Sequence, residues 1–182
     1  MTLSESFVSR LQRGEPTAYE ELLARFESPL YRFFYYDHRD HHMAQEQSAE
    51  TFAQLAQSIA NMAGCDGQLA AFVFSIARRV QLRSWRTKKQ SVLPLESAAD
   101  TMQACPCPVQ QAAGREQLSI VLSAIGALEQ PQRNVLLLRF VEGLSLAEVA
   151  TALDIPLGTV KSHIHRGREY LRQRFFPEEC QP

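Results

Sequence analysis

Apolar residues recur three or four positions apart along most of this 182-residue chain, and the strict alternation of a half-buried β-strand is absent. The clearest case begins at Leu69. Its apolar positions follow the i, i+3, i+4, i+7, i+11 order of an amphipathic helix, with Leu69, Phe72, Val73, Ile76 and Val80 on one face. This periodicity predicts an all-α fold.

The remaining apolar pattern predicts several more helices. A first short helix is expected to end at Gly14, and Pro16, which suits the first turn of a helix, opens the second. A third helix is expected from about Met43 to Met62, and two more in "LSIVLSAIGAL" and "PQRNVLLLRFVEG". The residues expected to face the core are Tyr19, Leu22, Leu23, Phe26 and Leu30 in the second helix and Phe52, Leu55 and Ile59 in the third.

The composition changes between the two halves of the chain. The segment "SVLPLESAADTMQACPCPVQQAAG" has three prolines, many small polar residues and no cation, which is typical of a connecting segment. The sequence therefore predicts two small helical domains joined by a flexible linker. We expect the domains at residues 1–90 and 116–182, with the linker at 91–115.

The second half contains the signature of a helix-turn-helix. Ser145 and Glu148 have the spacing of a capping box, in which the hydroxyl and the carboxylate bind the free amides at a helix start. Pro156 then ends that helix and suits the first turn of the next one. In the second helix of the pair, the residues expected to pack inward are Val160, Ile164, Gly167 and Leu171.

Charge is distributed unevenly although the net charge is only -1. One run has six cations and no acid, namely Arg78, Arg79, Arg83, Arg86, Lys88 and Lys89. A second has five cations and one acid, namely Lys161, Arg166, Arg168, Arg172, Arg174 and Glu169. Together the two runs carry about +10, which leaves about -11 for the rest of the chain. Two separate cationic helices favour a polyanionic partner over two solvated surfaces.

An apolar back and a cationic front are what a recognition helix needs in the major groove of duplex DNA. Thr159, at the positive end of the helix dipole, is suited to hold a phosphate, whereas Lys161, His163 and Arg166 are placed for base edges. The predicted duplex-contacting residues are Thr159, Lys161, Ser162, His163, Arg166 and Arg168.

Beyond this motif, the chain resembles a known family. "GLSLAEVATALDIPLGTVKSHIHRGREYLRQRF" resembles the C-terminal helix-turn-helix of the bacterial extracytoplasmic-function (ECF) sigma factors, which belong to the sigma-70 superfamily. "AYEELLARFESPLYRF", "AQEQSAETFAQLAQ" and "LAAFVFSIARRVQLRSWRTKK" are similar to family segments in the same order. Five positions depart from the family pattern. The family pattern has arginine at the position of His163, asparagine at Arg79, leucine at Gln47, glutamine at Ala49 and tryptophan at Phe72.

The resemblance implies an alternative sigma factor that binds core RNA polymerase, recognises promoters through -35 and -10 elements and helps to melt DNA. The recognition helix would read the -35 duplex, and an anti-sigma factor is implied as a further partner. Aromatic faces and cations also suit an unpaired strand. The implied -10 residues are Asn61, Arg78, Arg79, Arg83, Trp85 and Arg86, and Glu46 and Glu50 are implied to face polymerase. The loop at 61–67 is implied to hold a flipped base.

Three alternatives remain open from the residues alone. An ordinary helix-turn-helix regulator would explain the C-terminal motif but not the second cationic helix. An enzyme is disfavoured because no phosphate-binding glycine loop, nucleophile set or carboxylate pair stands out, and we expect no cofactor. The ligand-type residues of "DHRDHH", Asp37 to His42, and the thiols of Cys105 and Cys107 are the candidate metal or redox groups.

The cellular location is predicted from what the sequence lacks. No signal peptide and no apolar run of membrane-spanning length is found, so a cytoplasmic protein without direct membrane insertion is expected. The four cysteines are then expected to stay reduced.

Overall fold

A computed structural model describes residues 6–62, 66–90 and 115–176, without the side chains of 88–90 and 115–119. Within these ranges every regular element is helical, as predicted. The N-terminal bundle consists of α1 (Phe7–Gln12), α2 (Pro16–His38), α3 (His41–Ser58) and α4 (Leu69–Gln90). The C-terminal bundle consists of α5 (Arg115–Gly126), α6 (Gln130–Leu136), α7 (Leu146–Leu153) and α8 (Leu157–Phe175). Cys65, Cys105, Cys107, Cys180 and nearly all of the predicted linker lie outside the described residues.

The second helix begins where Pro16 predicted, and most of its predicted stripe is buried. Leu22, Phe26 and Leu30 are buried and Tyr19 packs against the same core, but Leu23 is 46% exposed. The expectation for Leu23 was wrong because its Cβ is rotated by about 100° from that of Leu22, which takes it off the stripe.

The start of α1 depends on a residue from a distant turn. Asp66 accepts hydrogen bonds from the Ser6 hydroxyl at 2.6 Å and from the Phe7 and Val8 amides at 3.0 and 2.8 Å. These bonds hold the pKa of the Asp66 carboxyl below its ordinary value, with the Ser6 bond the largest cause. The carboxylate thereby caps a helix N-terminus that has no side-chain cap of its own.

The third and fourth helices supply the other faces of the N-terminal core. Asp40 caps α3 through the Met43 amide, so this helix begins two residues before the predicted start. A 3₁₀ turn, Ile59–Asn61, continues it almost to Met62. The predicted stripe of α4 is buried at Leu69, Val73, Ile76 and Val80, while Phe72 packs at the edge of the core.

The helix-turn-helix forms as the sequence predicted. The Ser145 amide donates to Glu148 Oε2 at 2.7 Å, and the Glu148 amide donates to Ser145 Oγ at 3.2 Å, which completes the capping box. Asp154, at φ 52°, ends α7 in the left-handed region, and α8 starts directly after Pro156. Gly167 permits the close approach of α8 to α6, because a Cβ there would lie 2.2 Å from Leu136 Cδ1.

The two bundles pack against each other around one continuous set of buried apolar residues. Polar groups also cross this contact. Arg32 of α2 binds Glu142, which follows the π-helical turn Leu137–Val141, through three hydrogen bonds of 2.9–3.0 Å. Arg133 Nη2 of α6 donates a hydrogen bond to Asp37 Oδ1 of α2 at 2.6 Å. We call this surface the interbundle contact.

Burial raises the pKa of the Glu142 carboxyl above its ordinary value, and the neighbouring Arg32 opposes that shift. Burial therefore disfavours the charged form of Glu142, and the Arg32 guanidinium stabilises that form. In general, removing one member of a buried ion pair lowers the free energy of unfolding far more than replacing both members by apolar side chains.

We expect Arg32→Met to lower the free energy of unfolding by about 3 kcal/mol, because it leaves Glu142 buried without a cation. Arg32→Met combined with Glu142→Leu is expected to recover most of that loss. Denaturant titration of the three proteins measures both effects. Equal losses in the single and the double variant would contradict this account of the pair.

Candidate nucleic-acid interface

The cationic front of α8 is exposed. Lys161, Ser162, Arg166 and Arg168 face solvent, whereas Val160 and Gly167 are buried against the rest of the C-terminal bundle. The Ser162 hydroxyl donates to the Gly158 carbonyl at 3.0 Å and can still accept a hydrogen bond. This division of faces is the one that the sequence predicted for a recognition helix.

The first turn of α8 is open to an approaching anion. Thr159 is half-buried, and its amide donates to the Pro156 carbonyl at 2.9 Å. A Cβ placed on Gly158 would meet no atom within 4 Å, so the space in front of this turn is empty. The positive end of the helix dipole is therefore accessible to a phosphate group.

The two histidines of α8 differ in exposure. His163 is half-buried, and its Nδ1 is buried without a hydrogen-bond partner among the described residues. Burial lowers the pKa of His163, and the charge of Arg166 lowers it further. At neutral pH His163 is therefore mostly uncharged and adds little to the positive charge of this face.

His165 was not among the predicted contacts, yet it is exposed and lies one helical turn after Lys161. Together with Lys161 and Arg168 it lines an open groove beside Phe140. The i, i+4 spacing from Lys161 was the signal in the sequence that would have found it.

The second cationic face lies on α4. Arg79, Arg83 and Arg86 are exposed there, and Trp85 is 44% exposed. Arg78 differs from these because it is half-buried and donates to Gln81 Oε1 at 2.7 Å.

Other predicted site residues lie around this helix. Burial lowers the pKa of the Arg78 guanidinium, and the charge of Asp37 opposes the shift. Asn61 is exposed in the 3₁₀ turn ahead of α4, and residues 63–65 of the predicted base-holding loop lie outside the described residues. Asn61 therefore lies before the N-terminal end of α4, whereas the exposed arginines lie in the second half of that helix.

The acidic pair on α3 borders the same helix. Glu46 and Glu50 are exposed on one face and line a groove between α3 and α4. Glu50 Oε1 lies 3.5 Å from Arg83 Nη1, with both side chains well exposed, so this ion pair contributes little to stability. The predicted polymerase-facing and strand-facing residues therefore adjoin.

Gln47, which departs from the family pattern, is buried. Its amide Nε2 lies 3.0 Å from Ser84 Oγ and 2.8 Å from His38 Nε2. The two polar neighbours from α2 and α4 satisfy its Nε2, whereas its Oε1 is buried without a hydrogen-bond partner among the described residues.

Four of the five ligand-type residues of "DHRDHH" are engaged in protein contacts at the junction of α2 and α3, namely Asp37, His38, Asp40 and His41. Asp37 binds Arg133, Asp40 caps α3, and the His41 ring packs at a tilt against the Tyr35 ring. Across residues 6–62, 66–90 and 115–176, no three His, Cys, Asp or Glu side chains converge as a metal site would require. In the same ranges no helix combines the length and apolarity needed to cross a bilayer.

Comparison with known proteins gives three related findings. Residues 118–171 match the family model "Sigma-70, region 4". The chain is 24% identical over 176 residues to the ECF RNA polymerase sigma factor SigW of Bacillus subtilis, covering 92% of this chain and 94% of that protein. It is 34% identical over 100 residues, about half of either chain, to the RNA polymerase sigma-E factor of Streptomyces antibioticus.

Two solved structures share the fold. The sigma factor RpoE of Bartonella quintana, solved with the anti-sigma factor NepR, superposes with a TM-score of 0.64 at 22% identity, over 85% of this chain and 93% of that one. CnrH, solved with the cytosolic domain of CnrY, gives a TM-score of 0.63 at 19% identity, over 91% and 92% of the two chains.

The lowered pKa of His163 makes stability depend on pH. The unfolded chain takes up a proton at this residue near the ordinary value of 6.5, and the folded chain does so only at lower pH. The free energy of unfolding should therefore fall as the pH drops below about 6.5, until the folded-state pKa is reached.

We expect a smaller loss between pH 7.5 and pH 5.5 in His163→Gln than in the wild type, measured by denaturant titration. His165→Gln, which alters an exposed histidine on the same helix, serves as the control and should behave like the wild type. The same loss in wild type and His163→Gln would show that this residue is not the cause.

Proposed function

Because this chain belongs to the ECF sigma factors of the sigma-70 superfamily, we propose that it binds core RNA polymerase, directs it to promoters through -35 and -10 elements and helps to melt the DNA. The observation that carries this proposal is the pair of exposed cationic faces on α4 and α8. They lie on a chain whose similarity to SigW spans nearly its whole length.

We assign the -35 duplex to α8, within the part of the chain that matches sigma-70 region 4. Lys161 and Arg166 are exposed and would reach base edges, and the open first turn at Thr159 would hold a phosphate. The full proposed set is Thr159, Lys161, Ser162, His163, Arg166 and Arg168, and the exposure of His165 supports its addition. His163 acts in this set as a neutral group.

We assign the unpaired -10 strand to α4 and the turn before it. Exposed Arg79, Arg83 and Arg86 would follow the phosphates, and Trp85 offers a stacking face. Asn61 would contact a base that has left the stack. Arg78 is better suited to support α4 than to bind a phosphate directly, because it is half-buried and engaged with Gln81.

Partners and location follow from the same assignment. The exposed Glu46 and Glu50 are proposed to face basic groups of polymerase. The related folds were solved with NepR and CnrY, which supports an anti-sigma factor as a partner here. The family acts in transcription initiation. We therefore propose that the chain acts by binding and strand separation, and that it does so in the cytoplasm. The proposed domains are residues 1–90 and 116–182, with a linker at 91–115.

A helix-turn-helix regulator is the competing function, and purified core polymerase separates the two. We expect the chain to confer initiation at promoters selected from genomic fragments, measured as run-off transcripts of defined length. Core polymerase alone, or with a regulator, would give no such transcripts. Absence of promoter-dependent transcripts under conditions where a known sigma factor works would overturn the proposal.

The same assay tests the role of α8. Lys161→Ala is expected to reduce promoter-dependent transcription about tenfold, since one good base contact supplies roughly 1–3 kcal/mol of discrimination. Arg13→Ala, which removes an equal charge from the exposed end of α1, is the matched control and should stay within about twofold. Equal effects of both substitutions would point to net charge rather than to recognition.

A further inference from the structure

The interbundle contact contains buried charges from both bundles. The Arg32 and Glu142 side chains are only 12% and 9% exposed. The Arg133 side chain is 10% exposed, and that of Asp37 has no exposed surface. A buried charge lowers the stability of the fold when its partner is removed. Each carboxylate is paired across the contact with a guanidinium of the other bundle, Glu142 with Arg32 and Asp37 with Arg133. Asp37 also lies 3.5 Å from His38 Nε2 within its own bundle.

Asp37 divides its two oxygens between different partners. Its Oδ1 accepts from Arg133 Nη2 at 2.6 Å and from Gln130 Nε2 at 3.4 Å, both in the C-terminal bundle. Its Oδ2 accepts from the indole Nε1 of Trp85 at 2.8 Å. The same carboxylate thus joins the interbundle contact to Trp85 of α4, which lies beside the cationic face of that helix.

Simple dimensions show that the packed chain cannot occupy both promoter elements. Elements named -35 and -10 lie about 25 base pairs apart, or roughly 85 Å at 3.4 Å per base pair. A compact chain of this length has a radius of gyration of about 16 Å and a diameter of roughly 40 Å. The 24 residues from 91 to 114 can span at most about 80 Å. The bundles must separate before α4 and α8 reach both elements.

We propose that Asp37 couples separation of the bundles to release of Trp85. With the bundles together, Asp37 holds the indole against α2. When Arg133 and Gln130 leave, water reaches the carboxylate and competes for it, so the indole hydrogen bond weakens and Trp85 turns toward an unpaired strand. This inference rests on the proposed function, because it gives Trp85 a role in strand capture.

Gly126 offers a way to open the contact without changing its charges. A Cβ at this residue would lie 2.3 Å from Arg39 Nη2 and 2.9 Å from Tyr36 Cδ1, both in the N-terminal bundle. The Arg39 side chain is exposed and can turn aside, but the buried Tyr36 ring cannot, so Gly126→Leu places a wedge between the bundles. The side chains of Asp37, Arg133 and Trp85 are unaltered, and the Gly126 carbonyl, which accepts from Arg133 Nη1 at 3.4 Å, is retained. Ala127→Leu adds a similar side chain at the next, exposed residue and is the matched control.

The full chain has one tryptophan, so its fluorescence reports Trp85 alone. We expect Gly126→Leu to increase the radius of gyration in small-angle scattering by roughly a quarter. Trp85 emission should move to longer wavelength, and acrylamide quenching should rise about twofold, with both values close to those of Asp37→Ala, which removes the acceptor of the indole hydrogen bond. Ala127→Leu should match the wild type, and circular dichroism should show equal helix content in all four proteins.

A short single-stranded oligodeoxynucleotide tests the functional half of the proposal. It is expected to quench Trp85 of Gly126→Leu at a severalfold lower concentration than Trp85 of the wild type. Arg32→Met breaks the other buried ion pair of the interbundle contact, leaves Asp37 and Trp85 unaltered, and should give the same result.

Three outcomes would overturn the coupling. In the first, the chain expands but Trp85 emission does not change. In the second, neither Gly126→Leu nor Arg32→Met expands the chain. In the third, the oligonucleotide quenches wild type and open variants at equal concentrations. The scattering and fluorescence measurements contain no polymerase. A negative result in them therefore does not affect the run-off transcription assay, and a negative transcription assay does not affect them.

Discussion

A carboxylate removed from water needs partners, and Asp37 at the end of α2 finds them in both halves of the molecule. Arg133 supplies a cation from the C-terminal bundle and Trp85 supplies an indole hydrogen from α4. The two bundles share one apolar core, and within their contact this buried group and the pair of Arg32 and Glu142 match the bundles through charge. Both pairs are stable only while the bundles remain together.

The cations of the chain serve two different physical purposes. Arg32 and Arg133 are largely buried and neutralise carboxylates inside the protein. Those on the fronts of α4 and α8 are exposed, and the strongest field available to them is that of a nucleic acid backbone. A nearly neutral protein can thus present two cationic helices, because its acids lie elsewhere on the surface or are paired inside.

Helical periodicity and capping chemistry are local, so the sequence predicted the helices, the capping box at Ser145 and the inward face of α8. The exposure of Leu23 and the half-burial of Arg78 and His163 depend on which neighbours pack against them, which one helix cannot reveal. The partnership of Asp37 with Arg133 joins residues 96 positions apart, and no local pattern encodes it.

The most direct test of the central claim is the distance between α4 and α8 when the chain acts. Fluorophores placed through non-canonical residues at the exposed positions 87 and 173 report that distance in the free chain and in a polymerase–promoter complex. We expect a short distance, within the compact diameter of about 40 Å, in the free chain. In the complex it should approach the roughly 85 Å that separates the two elements. An unchanged short distance in a complex that protects both elements would contradict the account.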